Sequence, residues 1–228
     1  PGDGLCEMHR RVLEQDPGLR NRAPTLLGDD APTYLDSFVG RTTELQQLAD
    51  ALEHHRVVTV TGMAGVGKTR LSNMLRANHW FHYSADYRIG TRYMGEFIVD
   101  NFKREAMKVP FLAQLLRTDS IYISSNITFN NLDPLSTYLG TPGNVDQGGL
   151  PLAEYQRRQE QHRVAEIAAL CDVPYFIDRA KALYGYDDFI ADTGGSLIEV
   201  VDPNDPEDPV IKTLAAHTAL IFIRGTGK

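Results

Sequence analysis

The residues best suited to chemistry lie between positions 62 and 70, where the chain reads GMAGVGKTR. Gly62, Gly67, Lys68 and Thr69 satisfy the spacing G-x-x-x-x-G-K-[ST] in full. From residue frequencies, a chain of this length contains such a match by chance on the order of 1% of the time. Gly62, Gly65 and Gly67 lack a Cβ, so the backbone there can take positive φ and approach an anion closely. Met63, Ala64 and Val66 stand between them, and the helix that begins near Arg70 presents its N-terminus to the same turn. Successive N–H groups in such a turn form an anion cradle. The ligand that fits is a nucleoside triphosphate, ATP with Mg²⁺. Lys68 is expected to reach the β- and γ-phosphates, and the Thr69 hydroxyl to ligate Mg²⁺. The bland alternative is a glycine-rich turn between a strand and a helix.

A phosphate loop also needs a metal-side carboxylate at the end of a neighbouring strand. Asp192, directly after Phe189-Ile190-Ala191, fits that place. Asp187 and Asp188 sit at the other end of the same strand, far from any phosphate. The alternative for Asp192 is a cap on the turn before Gly194 and Gly195. Asp86 follows the expected strand 80–84 and precedes Arg88 and Arg92. One carboxylate with two arginines combines proton acceptance with charge neutralisation for a small anionic acceptor. The alternative for this group is a solvated turn. Arg157, Arg158 and Arg163 read as a solvated helix face laced by pairs such as Glu154 with Arg158, or as a source of one lid arginine. His79 and His82 lack metal-ligand spacing and read as packing or surface residues.

These groups must be placed by regular elements. Val57 to Thr61 is a strand by its β-branched content, and helix 70–76 follows the glycine loop. Trp80 to Ser84 predicts a second strand. Met94, Phe97, Ile98, Phe102 and Ala106 predict a helix over 93–107, and Phe111 to Leu116 continues helically past Pro110. Ile121-Tyr122-Ile123 suggests a short strand, and 140–149 a turn-rich loop. Pro151 suits the start of a helix reaching Leu170, and Pro174 opens another that Gly185 closes. Phe189 to Ala191 reads as a buried strand, 202–209 as an acidic loop, and a helix from Pro209 leads to a strand at 219–223.

Upstream, Leu5, Met8 and Val12 recur at helical spacing, and 18–37 reads as a linker. Thr43 with Gln46 resembles a capping box ahead of a Leu45, Leu48, Leu52 stripe that ends near His54-His55. The expected organisation is a helical appendage and linker at 1–37 and an α/β domain at 38–228. Strands alternating with helices predict a three-layer sandwich with a mostly parallel sheet and Val57–Thr61 central.

Composition sets outer bounds. The 228 residues are 42% hydrophobic and 23% charged, with a net charge of −7. That balance argues against nucleic acid as a direct partner, since broad binding needs clustered Lys and Arg. No apolar run is long enough to span a bilayer, and no signal peptide is visible. Cys6 and Cys171 are far apart and read as reduced thiols in the cytoplasm. Pro1 in place of a Met reads as a fragment or a processed chain.

Two resemblances rest on quotable segments. HRRVLEQDPGL, SFVGRTTELQQL and RVVTVTGMAGVGKTRL resemble bacterial regulators of the antibiotic-regulatory type, in which a helical activation domain precedes a STAND-class nucleotide switch. That resemblance implies that Phe38 to Arg41 lie near adenine and ribose, and that nucleotide binding switches domain contacts with slow turnover. WFHYSADYRIGTRYMGEFIVDNFKREAMKVPFL, YDDFIADTGGS and HTALIFIRGT resemble a bacterial P-loop ATPase family with a layout similar to small-molecule kinases. It covers about two-thirds of the chain. This resemblance implies a P-loop NTPase that hydrolyses ATP or transfers its γ-phosphoryl group. Lys68, Asp86 and Asp192 would then be the catalytic residues, Asp86 taking the acceptor. Asp192 to Gly195 would form the site floor. The chain ends soon after the strand that a kinase lid follows, and its double parentage implies a fusion, a composite or a designed chain.

Overall fold

All five residues of Val57–Thr61 are β-branched, which stiffens χ1 and favours an extended backbone. The computed structural model describes residues 49–62, 68–77, 79–194, 197–202, 204–205 and 207–223. The expected appendage at 1–37 and the capping box at Thr43 lie outside these residues. A helical segment at 49–54 ends with His55 N–H donating to the Ala51 carbonyl at 3.0 Å, as its sequence suggests. Then come β1 (Val57–Thr61), α1 (Lys68–Ala77), β2 (Phe81–Ser84) and a short α2 (Ala85–Arg88). A wider π-helical turn, Ile89–Tyr93, leads into α3 (Gly95–Ala106), followed by α4 (Pro110–Arg117) and α5 (Asp133–Leu139). The remainder is α6 (Leu152–Cys171), α7 (Val173–Tyr184), β3 (Phe189–Asp192), α8 (Leu197–Val200), α9 (Pro209–His217) and β4 (Ala219–Phe222).

The four strands form one parallel sheet in the order β2-β3-β1-β4. Val60 and Ser84 both stand opposite Asp192, so β1, β2 and β3 end at nearly the same level. Side chains alternate between the two faces. Val58, Val60 and Ile190 pack with Leu71, Leu75 and Trp80 on the α1 side. Tyr83, Phe189 and Ala191 pack on the other side against Leu170, Val173, Ala180 and Leu214 from α6, α7 and α9. Helices therefore cover both faces, which a parallel sheet requires because its strands can be solvated on neither. The result is an α/β fold of helix, sheet and helix layers.

A third cluster is built mainly from helices. Ile89, Met94 and Ile98 meet Leu135, Tyr138, Ala165 and Ala169. Here α6 departs from its polar sequence, because Arg158 is buried rather than solvated. Its Nε donates to Glu154 at 2.7 Å, its other nitrogens to Asn101 and the Tyr138 carbonyl, and its guanidinium lies 4.5 Å from the Tyr138 ring centroid. A buried guanidinium needs that many partners to offset its lost hydration.

Ile121-Tyr122-Ile123 forms no strand. Its alternate side chains are half-buried, but no neighbouring strand among the described residues offers a ladder, and β propensity alone does not make one. Gly185 closes α7 at φ +70°, a value that explains glycine there. Asp208 caps α9, its carboxylate accepting from Val210 and Ile211 N–H.

Ile190 is fully buried at the centre of the sheet. Replacing it with alanine is expected to cost about 2–5 kcal/mol in urea unfolding. Leu220→Ala, at a half-exposed position on β4, is expected to change stability by much less.

Candidate functional site

The chain leaving β1 crosses to β2 on one side, whereas the chain leaving β3 crosses to β4 on the other. The winding thus reverses between β1 and β3, and open α/β sheets bind ligands at the carboxyl ends beside such a point. Two sequence-derived segments arrive there together. Gly62 follows β1, and Asp192-Thr193-Gly194 ends and follows β3. Gly62 adopts φ +146°, open to glycine and strained for other residues. Met63 to Gly67 and Gly195 lie outside the described residues, so the amide cradle is not part of this description, nor are the side chains of Thr69 and Arg70.

Lys68 opens α1 and is buried. Its Nζ donates to the Gly62 carbonyl at 2.6 Å, which puts the ammonium at the carboxyl end of β1. Burial pulls its pKa down, while the charges of Asp86 and Asp192 oppose that pull. Both candidate carboxylates therefore share the field of the candidate lysine, although they come from opposite ends of the sequence.

Asp86 sits in the first turn of α2, just past β2. Ser84 ends the strand and caps this turn by accepting from Tyr87 N–H at 3.4 Å, which sets where Asp86 starts. Its carboxyl is partly buried and pushed up to about 6, first by desolvation and next by Asp192, with Lys68 pulling the other way. A solvated turn would not hold a carboxyl in this state. Gly194 lies close to two carboxylates: a Cβ on it would fall 2.6 Å from Asp86 Oδ1 and 3.2 Å from Glu166 Oε1, so those side chains would have to shift.

Asp192 is also buried, and its Oδ2 lies 2.9 Å from His82 Nε2. The carboxylate is engaged with this histidine across the sheet. His82 is buried and lies 5.1 Å from the Phe129 ring, and its Nδ1 has no hydrogen-bond partner among the described residues. If Nε2 carries the proton it donates to Asp192, fixing one tautomer and one carboxylate orientation.

Arg88 and Arg92 do not join this group. Arg88 ion-pairs with Asp172 at 2.8 Å, and its guanidinium stacks over Phe176 at 4.9 Å. Arg92 is exposed on the π-helical turn. Asp86 and Arg88 stand two residues apart on α2, so they project from opposite sides of it. At the other end of the sheet, Asp188 pairs with Arg56 at 3.3 Å, well away from Lys68.

Two site residues went unrecognised in the sequence. His82 joins Asp192 only because β2 and β3 are neighbours in a register that sets Ser84 against Asp192 and places His82 diagonally on the same face. Glu166 did carry a signal, being the one acid inside the apolar run VAEIAAL at 164–170. It is fully buried beside Gly194. Among the described residues no group of three or more His, Cys, Asp or Glu side chains is arranged to hold a metal by itself, and no helix is long and apolar enough to cross a membrane. Comparison of the chain with protein-family models, with curated proteins and with solved structures finds no match.

The raised pKa of Asp86 has a definite sign for stability. The folded carboxyl keeps its proton up to about pH 6, while an ordinary Asp releases it near 3.8. The stability it contributes is fully present below the lower value and is lost as pH rises through the upper one. Asp86→Asn is expected to melt a few degrees above the parent protein at pH 7. That gap is expected to close by pH 4, as followed by circular dichroism.

Proposed function

We propose that this protein is a P-loop NTPase that binds ATP with Mg²⁺ and hydrolyses it or transfers its γ-phosphoryl group to a small acceptor. The observation that carries the reading is the meeting of Lys68, Asp86 and Asp192 at the carboxyl ends of β1, β2 and β3. A buried ammonium at the carboxyl end of β1, beside the glycine-rich segment, supports polyphosphate binding, since an ammonium there can donate to phosphate oxygens. Gly62 to Arg70 would wrap the phosphates. Thr69 and Asp192 would hold Mg²⁺, which supplies charge neutralisation when bound. Mg²⁺ takes one or two protein groups and completes its shell with water and phosphate, so a full protein cage is not required. His82 engages Asp192 through Oδ2 alone, consistent with a carboxylate held in place for such a role.

Asp86 is assigned as the general base. In transfer, the acceptor O–H oxygen bonds to the γ-phosphorus and its proton passes to the Asp86 carboxylate. The bond from that phosphorus to the β–γ bridging oxygen breaks, and its electrons leave on the diphosphate. In hydrolysis, water takes the acceptor's place. A carboxyl near 6 is mostly ionised at neutral pH yet more basic than an exposed one, as a general base should be. The regulatory-switch alternative depends on Phe38 to Arg41, outside the described residues, and nothing described favours it.

Lys68→Ala is expected to abolish the thermal stabilisation that ATP with Mg²⁺ confers in a melting assay; undiminished stabilisation would refute the nucleotide site. Asp86→Asn is expected to keep that stabilisation while ADP release falls about 10²–10⁴-fold. Loss of binding and turnover together would contradict the assignment of Asp86.

A further inference from the structure

Ile121 to Ile127 forms no regular element, yet its exposure alternates residue by residue. Ile121, Ile123, Ser125 and Ile127 are half-buried, while Tyr122, Ser124 and Asn126 are exposed. That two-residue period is the mark of an extended backbone. Both ends of the segment are fixed. Asp119 takes φ +52° where α4 ends, and Ser120 N–H donates to the Leu115 carbonyl at 2.9 Å, which turns the chain out of the helix. At the far end Ile127 packs against the helical cluster beside Gly90. Thr128 and Asn131 then exchange main-chain bonds of 3.0 and 3.1 Å.

Between these anchors the main chain is unpaired. Among the described residues no N–H from Ile121 to Ile127 has a hydrogen-bond partner, and of their carbonyls only that of Asn126 accepts, from the Asn131 side chain at 2.7 Å. Such an edge is a template for another strand, and proteins ordinarily guard it with lysine, proline or a bulge. From Ser120 to Leu132 there is no charged residue, no proline and no glycine. Isoleucine and tyrosine there favour pleated pairing. The whole chain carries a charge of −7, so two copies repel over much of their surface and least where charge is missing.

We infer that residues 121–127 pair antiparallel with the same segment of a second copy, joining two chains across a twofold axis. Identical segments paired in this way are self-complementary, which closes the assembly at two. The register that pairs all seven residues puts Ser124 on the axis opposite its twin, with Tyr122 opposite Asn126 and Ile121 opposite Ile127. A small uncharged residue at the centre lets the backbones close to ladder distance. An acidic or basic strand from another protein would find no opposite charge here to select it. The pairing is independent of any nucleotide chemistry.

The test is the mass of the full chain by sedimentation between about 1 and 100 μM, the range in which so small an interface is expected to titrate. The mass is expected to shift reversibly from 25.4 kDa toward twice that value. Ser124→Lys sets two like charges face to face and is expected to raise the dimer Kd about 10-fold or more. Phe111→Ser, at an exposed apolar residue on α4, is expected to move it less than about twofold. In a chain carrying Cys6→Ser and Cys171→Ser, Ser124→Cys is expected to form an interchain disulfide on mild oxidation, because opposed strand residues hold their Cα atoms about 4.5–5.5 Å apart. Tyr122→Cys is expected not to, since its twin lies about 13 Å along the ladder. A monomer throughout the range would overturn the inference. So would a dimer that responds to Phe111→Ser and not to Ser124→Lys, or one in which both cysteines cross-link equally.

Discussion

Lys68, Asp86 and Asp192 are brought into one corner, where burial works against the charges of both Lys68 and Asp86. Desolvation presses Lys68 toward its neutral form and Asp86 toward its protonated form, while each charge restrains the other. Coulombic attraction at short range in low dielectric is large, but so is the cost of removing both groups from water. Such a cluster is a strained arrangement rather than a stabilising one. It persists because the surrounding sheet fixes its members, and it leaves a carboxyl with altered basicity beside an ammonium.

The fixing is done by the parallel sheet. Four strands running in one direction require helical crossovers, and those crossovers cover both faces with apolar side chains from α1 on one side and α6, α7 and α9 on the other. Every strand then delivers its last residue to the same rim. Thr61, Ser84 and Asp192 end β1, β2 and β3 at that rim, and Gly62 and Asp86 follow within two residues. Polar tethers hold the layers in place: Tyr83 donates to the Ala169 carbonyl at 2.6 Å, and Thr218 to Thr59 Oγ1 at 2.9 Å. The core therefore positions the charges, although no member of the core takes part in the proposed chemistry.

Most elements were legible in the residues. β-Branched runs marked β1, Pro110 and Pro174 stand at helix starts, and Gly185 marks a helix end, because each reflects local backbone sterics. Ile121 to Ile123 misled for the complementary reason, since a strand needs a partner and local propensity is silent about one. In the polar run of α6, Arg157 and Arg163 are exposed and paired with Glu154 and Glu160 as the sequence suggests, and the departure is confined to Arg158. Charge suggests solvent, but Arg158 found enough hydrogen-bond partners to be buried. The short α2 and the π-helical turn before α3 went unforeseen, having no composition signal of their own.

The sequence by itself determined that a glycine-rich segment with its lysine follows β1, the alternation of strands and helices, and the acids that stand at strand ends. These are properties of single segments, governed by backbone sterics and residue spacing. Only the tertiary structure decided that Asp86 and Asp192 share the field of one lysine, that His82 fastens Asp192, and that Asp86 and Glu166 both lie near Gly194. It also decided that Arg88 turns away to Asp172. The physical reason is strand order and register, which place residues more than 100 positions apart at hydrogen-bonding distance, as with His82 and Asp192. They are set by packing between segments, and no single segment carries that information.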